Sequence, residues 1–394
     1  MKKRTFKHVF GSALLITGTS VGAGLLALPL ATAEGGFFPA LAVFILSWFV
    51  MTVSGFFYFE LCQAMGKETN IISLSEKYLG KGGKGFAWVI YLFLFYCLLV
   101  AYISGGAGFF SSLYNFQGPG IFSVILFTLV FSIFVYFGAK VVDRVNILLM
   151  AGLVVSYITF VIVGVPHING QNLMQTNWVK SIPALPITLI AFGYQGLIPT
   201  LTNYLHRDER KVKTAIIIGT TLTLIINVFW QLLVLGMVPM QELLRVKAEN
   251  IVTIFPQYEG AHTSIGYVAH FFSFFAITTS FVGVSLAIYD FLSDGLKWPK
   301  KGTNKLKLAA ITFLPPLIIT LIHPKIFLLA LNYAGGIGGV ILLAFLPALM
   351  LYKKNLHLPH ANRMKKNILI YIVFLYVIFE LIVEIYNEYS RIVN

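Results

Sequence analysis

The sequence predicts an all-α polytopic membrane protein with 11 transmembrane helices. Of the 394 residues, 58% are hydrophobic and 11% are charged, whereas soluble domains carry about 25% charged residues. Apolar stretches of about 20 residues, the length that spans a bilayer, recur along the whole chain. The third observation is that positive charge is concentrated in alternate loops.

The apolar stretches divide the Lys and Arg residues unequally between the two sides of the membrane. If the N-terminus is cytoplasmic, 24 of the 29 Lys and Arg residues lie in inner loops and 5 in outer loops. Positive charge accumulates on the cytoplasmic side, so we expect a cytoplasmic N-terminus and a C-terminus on the opposite side. The expected spans are 9–33, 38–62, 86–113, 121–138, 144–164, 181–205, 212–237, 262–292, 306–322, 325–351 and 367–390.

This charge distribution and the absence of catalytic motifs exclude several classes of function. The net charge of +14 is explained by topology and attraction to anionic lipid, so we expect no nucleic acid and no obligatory protein partner. No nucleotide-binding Gly-Lys-Ser/Thr motif, nucleophile elbow or His-Glu-x-x-His motif is present, which argues against ATP-driven transport and an enzyme. A channel would need a polar stripe or charged ring along several spans, and none is evident.

The first stretch is interrupted near its middle by small and polar residues. From Thr17 to Pro29 the chain reads Thr-Gly-Thr-Ser-Val-Gly-Ala-Gly-Leu-Leu-Ala-Leu-Pro. Glycine weakens a helix and lets backbone approach a ligand, and non-helical backbone at this depth needs protein or a water-filled cavity around it. The pattern predicts a broken helix that holds a ligand. The alternative is close helix packing, since Gly18 and Gly22 have the spacing of small-residue contacts.

A second interruption lies in the sixth stretch, five spans later. Ala191 to Thr200 reads Ala-Phe-Gly-Tyr-Gln-Gly-Leu-Ile-Pro-Thr. Interrupted helices at corresponding positions of two halves are the sequence sign of an inverted-repeat transporter. Because each half has an odd number of spans, the halves insert in opposite orientations. We expect a first repeat over 1–165, a second over 166–352 and an accessory eleventh helix over 353–394.

The two breaks offer complementary partial charges to a ligand. Where the second half of a broken helix begins, free backbone amides carry the positive end of the helix dipole, so the backbone at Gly22–Gly24 suits a carboxylate. The carbonyls near Ala191–Gly193 suit an ammonium group. Together the breaks predict a receptor for a zwitterion such as an α-amino acid.

Acidic and hydroxyl side chains inside the stretches are the candidates for coupling and gating. An intramembrane acid is costly and indicates function, so Glu60 and Asp290 could serve a gate or proton path, or pair with nearby Lys or Arg at the interface. Thr279 and Ser280 could present oxygens to sodium or return hydrogen bonds to their own helix. On the last stretch we expect a solvated face that carries acids every four residues, at Glu380, Glu384 and Glu388.

Aromatic residues beside the breaks could form the walls of a pocket for an aromatic ring.

The glycines from Gly335 to Gly339 in the tenth stretch suit either gating or tight helix packing. A short surface helix could occupy the outer loop at about 238–261. No cofactor or metal site is expected. The candidate substrate-binding residues are Thr19, Gly22, Ala23, Gly24, Tyr102, Ala191, Phe192, Gly193, Tyr194, Gln195 and Tyr333.

Several segments resemble the bacterial hydroxy and aromatic amino acid permease family of the amino acid-polyamine-organocation superfamily. The similarity runs in order through nearly the whole chain and is closest to the tyrosine-specific branch. The segments are Gly18-Thr-Ser-Val-Gly-Ala-Gly-Leu-Leu-Ala-Leu-Pro29, Ala101-Tyr-Ile-Ser-Gly105, Phe192-Gly-Tyr-Gln-Gly-Leu-Ile-Pro199, Thr279-Ser-Phe-Val-Gly-Val-Ser-Leu286 and Ile311-Thr-Phe-Leu-Pro-Pro316.

The resemblance implies a LeuT-type 5+5 inverted repeat in the bacterial inner membrane, with a periplasmic C-terminus. It also implies uptake of an aromatic L-amino acid, tyrosine first, by proton symport and alternating access. The same scaffold carrying tryptophan or another neutral or hydroxy amino acid is the alternative.

Two departures from the family leave the coupling ion open between proton and sodium. Gln195, which cannot titrate near neutral pH, replaces a usual His. The segment Met150–Leu153 lacks the Lys that some proton-coupled relatives place at a sodium position.

Overall fold

The computed structural model describes residues 2–66, 69–113, 120–245, 263–356 and 360–393. Within these ranges the regular elements are helical, and we number the α-helices in chain order. They are α1 Lys2–Ser20, α2 Ala23–Thr32, α3 Phe37–Gln63, α4 Ile71–Leu113, α5 Ile121–Phe137, α6 Ala139–Gly164, α7 Gly170–Leu173, α8 Trp178–Ser181, α9 Leu185–Ile190, α10 Ile198–Tyr204, α11 Glu209–Met237, α12 Met240–Arg245, α13 Thr263–Leu296, α14 Gly302–Ile322, α15 Phe327–Tyr333, α16 Leu346–Asn355 and α17 His360–Val393. Shorter elements are the 3-10 turns Val165–His167, Ile182–Ala184 and Gln195–Leu197 and the π-helix Ala334–Phe345.

The described helices confirm a polytopic membrane protein. Nine helical segments in the described ranges are long and apolar enough to cross a membrane, and the bent pair α1–α2 makes up to ten. The remaining predicted span, 121–138, corresponds to α5, which is apolar but 17 residues long. In the long outer loop α12 forms a short helix, and residues 246–262 lie outside the described ranges.

The helix that contains the third predicted span, 86–113, begins well before residue 86. Helix α4 begins at Ile71 and includes the lysines that the sequence pattern assigned to a loop. At Gly80 the backbone has φ 76°, a conformation that glycine adopts without the steric penalty of a Cβ. The element is therefore a charged helix before Gly80, followed at a kink by the apolar span.

The outward faces of the peripheral helices are apolar, as contact with lipid requires. On α6, Ile147, Leu148 and Ile162 are mostly exposed, whereas Leu153 and Phe160 are buried. Apolar surface on this scale is unfavourable in water and stable in hydrocarbon. The side chains of α6 thus separate a lipid face from a packing face.

The broken helices lie in the interior of the bundle. Helix α1 packs along α11, where the Thr17 hydroxyl lies 3.0 Å from both the Ala13 and Gly219 carbonyl oxygens. Helix α2 contacts α9 and α11, and most of its side chains are buried. Helix α3 also contacts both α9 and α11. The interior position supplies the protein surroundings that non-helical backbone needs at membrane depth.

The glycine-rich segment of the tenth predicted span forms the π-helix and packs tightly. A Cβ added to Gly335 would lie 1.8 Å from the carbonyl oxygen of Pro186 in α9. A Cβ added to Gly336 would lie 2.6 Å from Oε2 of Glu384 in α17. These glycines therefore permit close contact of the π-helix with α9 and α17, in agreement with the packing alternative. π-Helical turns are frequent at functional sites.

Candidate functional site

The first predicted break is present between α1 and α2. Helix α1 ends at Ser20 and α2 begins at Ala23, with a bend of 56° between them. Gly22 has an extended backbone, and no side chain caps the start of α2. The Leu25 amide bonds to the Gly22 carbonyl oxygen at 3.1 Å, and the other amides of a first helical turn have no intrahelical partner. One of them, Ala23 N–H, donates to Ser280 Oγ at 3.4 Å.

The second predicted break is present between α9 and α10. Helix α9 ends at Ile190, where the amides of Phe192 and Gly193 bond to the carbonyls three residues earlier, at 3.0 Å in each case. Residues Ala191–Tyr194 lie outside regular helix before the turn Gln195–Leu197. The peptide carbonyls at the end of α9 carry the negative end of a helix dipole.

The structure brings the two breaks into contact. Ser20 Oγ donates to the carbonyl oxygen of Gly193 at 3.3 Å. A Cβ added to Gly24 would lie 3.3 Å from Ala191 Cα, so glycine favours this close approach of α2 to the end of α9. Amides at a helix N-terminus and carbonyls at a helix C-terminus therefore share one small region, the arrangement that a zwitterion requires.

Helices α13 and α4 complete this region with two hydroxyl side chains. Ser280 Oγ, which accepts from Ala23, donates to the Ala276 carbonyl at 2.9 Å. The buried side chain of Tyr102 lies next to Ser280. A Cβ on Gly22 would lie 2.2 Å from Ser280 Oγ. The structure thus brings together the binding candidates Gly22, Ala23, Gly24, Tyr102, Ala191 and Gly193 and the coupling candidate Ser280.

Thr279 lies next in sequence but does not turn its hydroxyl to the first break. Its Oγ1 donates to the carbonyls of Phe275 at 2.8 Å and Ala276 at 3.2 Å. Thr19 behaves in the same way, since its exposed side chain bonds to Leu15 O at 2.9 Å. Both hydroxyls donate their hydrogen bonds to backbone carbonyls of their own helices.

The polar side chains of the second break anchor it to α3. The Tyr194 hydroxyl and the Gln195 amide nitrogen each donate to the Met51 carbonyl oxygen at 3.2 Å. Gln195 Oε1 also accepts from the Tyr194 amide at 3.0 Å. Gly55 makes room for this contact, because its Cβ would lie 1.9 Å from the Tyr194 hydroxyl. Phe192 is fully buried at the same break.

Tyr333, the remaining pocket candidate, points toward α17. Its hydroxyl donates to Glu388 Oε2 at 3.0 Å, and the neighbouring Asn332 amide donates to Glu384 Oε2 at 2.6 Å. The hydroxyl of Tyr333 is therefore bound to the last helix and not to the region where Ser20 contacts Gly193.

Two of the coupling and gating candidates form ion pairs at the ends of their helices. Glu60 Oε1 lies 3.0 Å from Lys354 Nζ, and Asp290 Oδ1 lies 2.7 Å from Lys300 Nζ. All four side chains are partly exposed. This agrees with the interfacial pairing that the sequence left open.

The expected solvated acidic face of the last helix is wrong. Glu380 is 0% exposed and Glu384 is 3% exposed, and Glu388, 33% exposed at its side chain, pairs with Arg391. The four-residue spacing correctly indicated a shared stripe, but the π-helix packs on Glu384, and Asn332 and Tyr333 of α15 bond to Glu384 and Glu388. Asn227 of α11, which no sequence motif marked, is fully buried, and its amide has no hydrogen-bond partner among the described residues.

Known proteins match this chain over most of its length. Residues 5–384 match the tryptophan/tyrosine permease family. Tyrosine-specific transport system 1 of Haemophilus influenzae is 34% identical over 82% of this chain and 83% of its own length. Tyrosine-specific transport system 2 of that organism is also 34% identical, over 83% of each chain.

A third relative differs in its named substrate. The tryptophan-specific transport protein of Haemophilus influenzae is 32% identical over 90% of this chain and 89% of its own length. These relatives are transport proteins and not enzymes, as the absence of catalytic motifs predicted. The chain belongs to the tryptophan/tyrosine permease family, whose members are membrane transport proteins for amino acids.

Proposed function

We propose that this protein imports an aromatic L-amino acid, tyrosine first, by proton symport and alternating access. The observation that carries the proposal is the contact between the two helix breaks, where Ser20 bonds to Gly193 at 3.3 Å. Membership of the family supports amino acid transport. The tyrosine-specific relatives support tyrosine as the first substrate to test, and tryptophan is the alternative.

In this proposal the backbone binds the two charged groups common to all α-amino acids. The amides at Gly22, Ala23 and Gly24 receive the carboxylate at the positive end of the α2 dipole. The carbonyls of Ala191, Phe192 and Gly193 receive the ammonium group at the negative end of α9. Small residues at these positions leave the space that the ligand needs, because a Cβ on Gly22 would contact Ser280 at 2.2 Å.

The substrate ring is recognised by aromatic side chains next to the breaks. Tyr102 and Phe192 are both buried there, and edge or offset stacking on a substrate ring would add to the free energy of binding. Tyr194 and Gln195 instead hold the second break on α3, and Tyr333 holds α15 on α17. We therefore assign specificity to the first pair and positioning to the other three.

We propose eleven spans in a LeuT-type arrangement, with α5 as the additional span. Residues 1–165 and 166–352 form the two inverted repeats, and 353–394 form the accessory helix. The N-terminus is then cytoplasmic and the C-terminus periplasmic in the bacterial inner membrane. Rocking of one bundle of helices against the rest exposes the breaks alternately to the two sides.

The coupling ion is a proton in this proposal, with sodium as the alternative. Sodium prefers several oxygen ligands, and Thr279 directs its hydroxyl to its own helix, which leaves Ser280 at the break. The segment Met150–Leu153 has no Lys, and beside the first break Met150 Cε would lie 3.0 Å from a Cβ on Gly18. A proton site therefore has to lie elsewhere.

Uptake of labelled tyrosine into proteoliposomes with an imposed pH or sodium gradient tests the proposal. We expect accumulation when the outside is more acidic, and competition by unlabelled tryptophan and phenylalanine. Accumulation with only a sodium gradient would replace the proton by sodium. Strong competition by serine, with none by either aromatic amino acid, would contradict the aromatic substrate.

A further inference from the structure

The last helix, α17, buries two carboxyl side chains among apolar residues. Glu380 is 0% exposed and Glu384 is 3% exposed. They lie one turn apart, so both face the same neighbours. Acids inside a membrane bundle are costly and indicate function.

These two carboxyl groups lack the cations that would stabilise a buried charge. Neither oxygen of Glu380 has a hydrogen-bond partner in the described part of the chain. Glu384 accepts one bond from Asn332 through Oε2, at 2.6 Å, and its Oε1 is unpartnered. No salt bridge to either residue occurs within the described ranges. The free energy of burying an unpaired carboxylate favours the neutral, protonated form.

Glu388 connects this pair to the surface. It lies one turn beyond Glu384, its side chain is 33% exposed, and it bonds to both Tyr333 and Arg391. A helix rises about 1.5 Å per residue, so the three acids extend over roughly 12 Å of α17. A proton entering from the C-terminal end of α17 thus meets one partly exposed and then two buried carboxyl groups.

On the other side, the pair is linked to the helix that leads into the second break. Tyr376 lies one turn before Glu380, and its hydroxyl is 3.4 Å from Ser47 Oγ. Ser47 Oγ is 2.9 Å from Thr188 Oγ1, and Thr188 lies in α9, three residues before Ala191. Each of these hydroxyls can both donate and accept.

A second, steric link runs through the π-helix. Glu384 packs on Gly336, and the adjacent Gly335 packs on the Pro186 carbonyl of α9. A change in the charge of Glu384 therefore acts on a segment that also contacts the broken helix.

The charged and titratable groups around the pair come mainly from α17 itself. From α17 these are Tyr376, Glu388 and Arg391, and from α15 Tyr333. Helices α3 and α9 contribute the hydroxyls of Ser47 and Thr188. Arg391 is the cation that acts on Glu384, and it is already paired with Glu388.

We propose that Glu380 and Glu384 form the site that binds and releases the coupling proton. The proposal rests on the proposed proton symport. A proton from the outer side binds a carboxylate oxygen to give a carboxylic acid, and the same proton is released when the site reaches the inner side. The hydroxyls of Tyr376, Ser47 and Thr188 extend from the turn before Glu380 to α9, and the π-helix packs on both Glu384 and α9, so a change of charge at this site acts on the helix that ends at the second break.

Two variants in proteoliposomes test the proposal: Glu380→Gln and Glu384→Gln. Each is compared with the wild type and with the control variant Glu76→Gln. Gln resembles the protonated acid but cannot release the proton. For one proton per substrate, a one-unit pH gradient supports at most about tenfold accumulation. We expect both variants to lose this accumulation and keep exchange of labelled for unlabelled tyrosine at equal pH. The partly exposed Glu76, paired with Lys84, serves as the control and should behave like wild type.

Accumulation at the wild-type level in both variants would overturn the proposal. Loss of exchange in both variants, with protein that still inserts and binds tyrosine, would also overturn it, because the neutral form should complete exchange.

Infrared titration separates failure of this site from failure of the proposed function. The purified wild-type protein in lipid should show protonated carboxyl absorption near neutral pH that decreases in each Gln variant. That result does not require tyrosine or transport. An unchanged carboxyl absorption in both variants would contradict the site even if the wild type proves to be a proton symporter.

Discussion

Substitution of Gly22 by alanine tests whether the first break binds the substrate. The new Cβ would lie 2.2 Å from Ser280 Oγ, and the next nearest atom is Ser280 Cβ at 3.5 Å. The new Cβ therefore clashes only with the Ser280 hydroxyl, which also accepts a hydrogen bond from the Ala23 amide. Overpacking of this kind costs about 1–3 kcal/mol, so we expect the initial rate of uptake to fall by about 5- to 150-fold.

The assay is initial uptake of labelled tyrosine in proteoliposomes that contain equal amounts of protein. Gly11→Ala in α1, the helix before the break, is the matched control, since no atom lies within 4 Å of its added Cβ, and it should transport like wild type. Removal of the clashing hydroxyl in Gly22→Ala/Ser280→Ala should recover part of the rate.

Two results would refute this reasoning. Wild-type uptake by Gly22→Ala would show that the amides of the first break are not the binding site. A loss in Gly22→Ala that equals the loss in Gly11→Ala would show a general effect of alanine on α1 and its break.

Three further substitutions separate packing from function. Gly335→Ala places a Cβ 1.8 Å from a carbonyl oxygen of α9, so we expect a marked loss of folded protein in size-exclusion chromatography; a normal yield would contradict the packing of the π-helix. Tyr194→Phe removes the hydrogen bond to Met51 and should cost about 0.5–1.5 kcal/mol, measured as a lower thermal unfolding temperature in detergent; an unchanged temperature would argue against the anchor on α3. Glu60→Gln removes a partly exposed ion pair with Lys354, which is of little energetic value, so pH-driven accumulation should persist; its loss would return Glu60 to the coupling machinery.

Local sequence features were sufficient to predict a polytopic helical membrane protein and the two breaks. Apolar length and Lys and Arg placement reflect transfer of each segment into the bilayer, a property of the segment alone. The glycines at Gly22 and Gly193 reduce helix stability locally. Helix α4 begins earlier than the apolar pattern predicted, because hydropathy marks the apolar part of a helix and not the polar turns before it.

The partners of individual side chains were decided only by the tertiary structure. The spacing of Glu380 and Glu384 showed that they share a face, but not that other helices cover it. Tyr194 was equally suited by its chemistry to a pocket wall or to an anchor, and the position of Met51 on α3 decided between them. The sequence determined where the helices break, since that depends on local propensity, whereas the packing of distant segments decided that the breaks meet and that the last helix buries its acids.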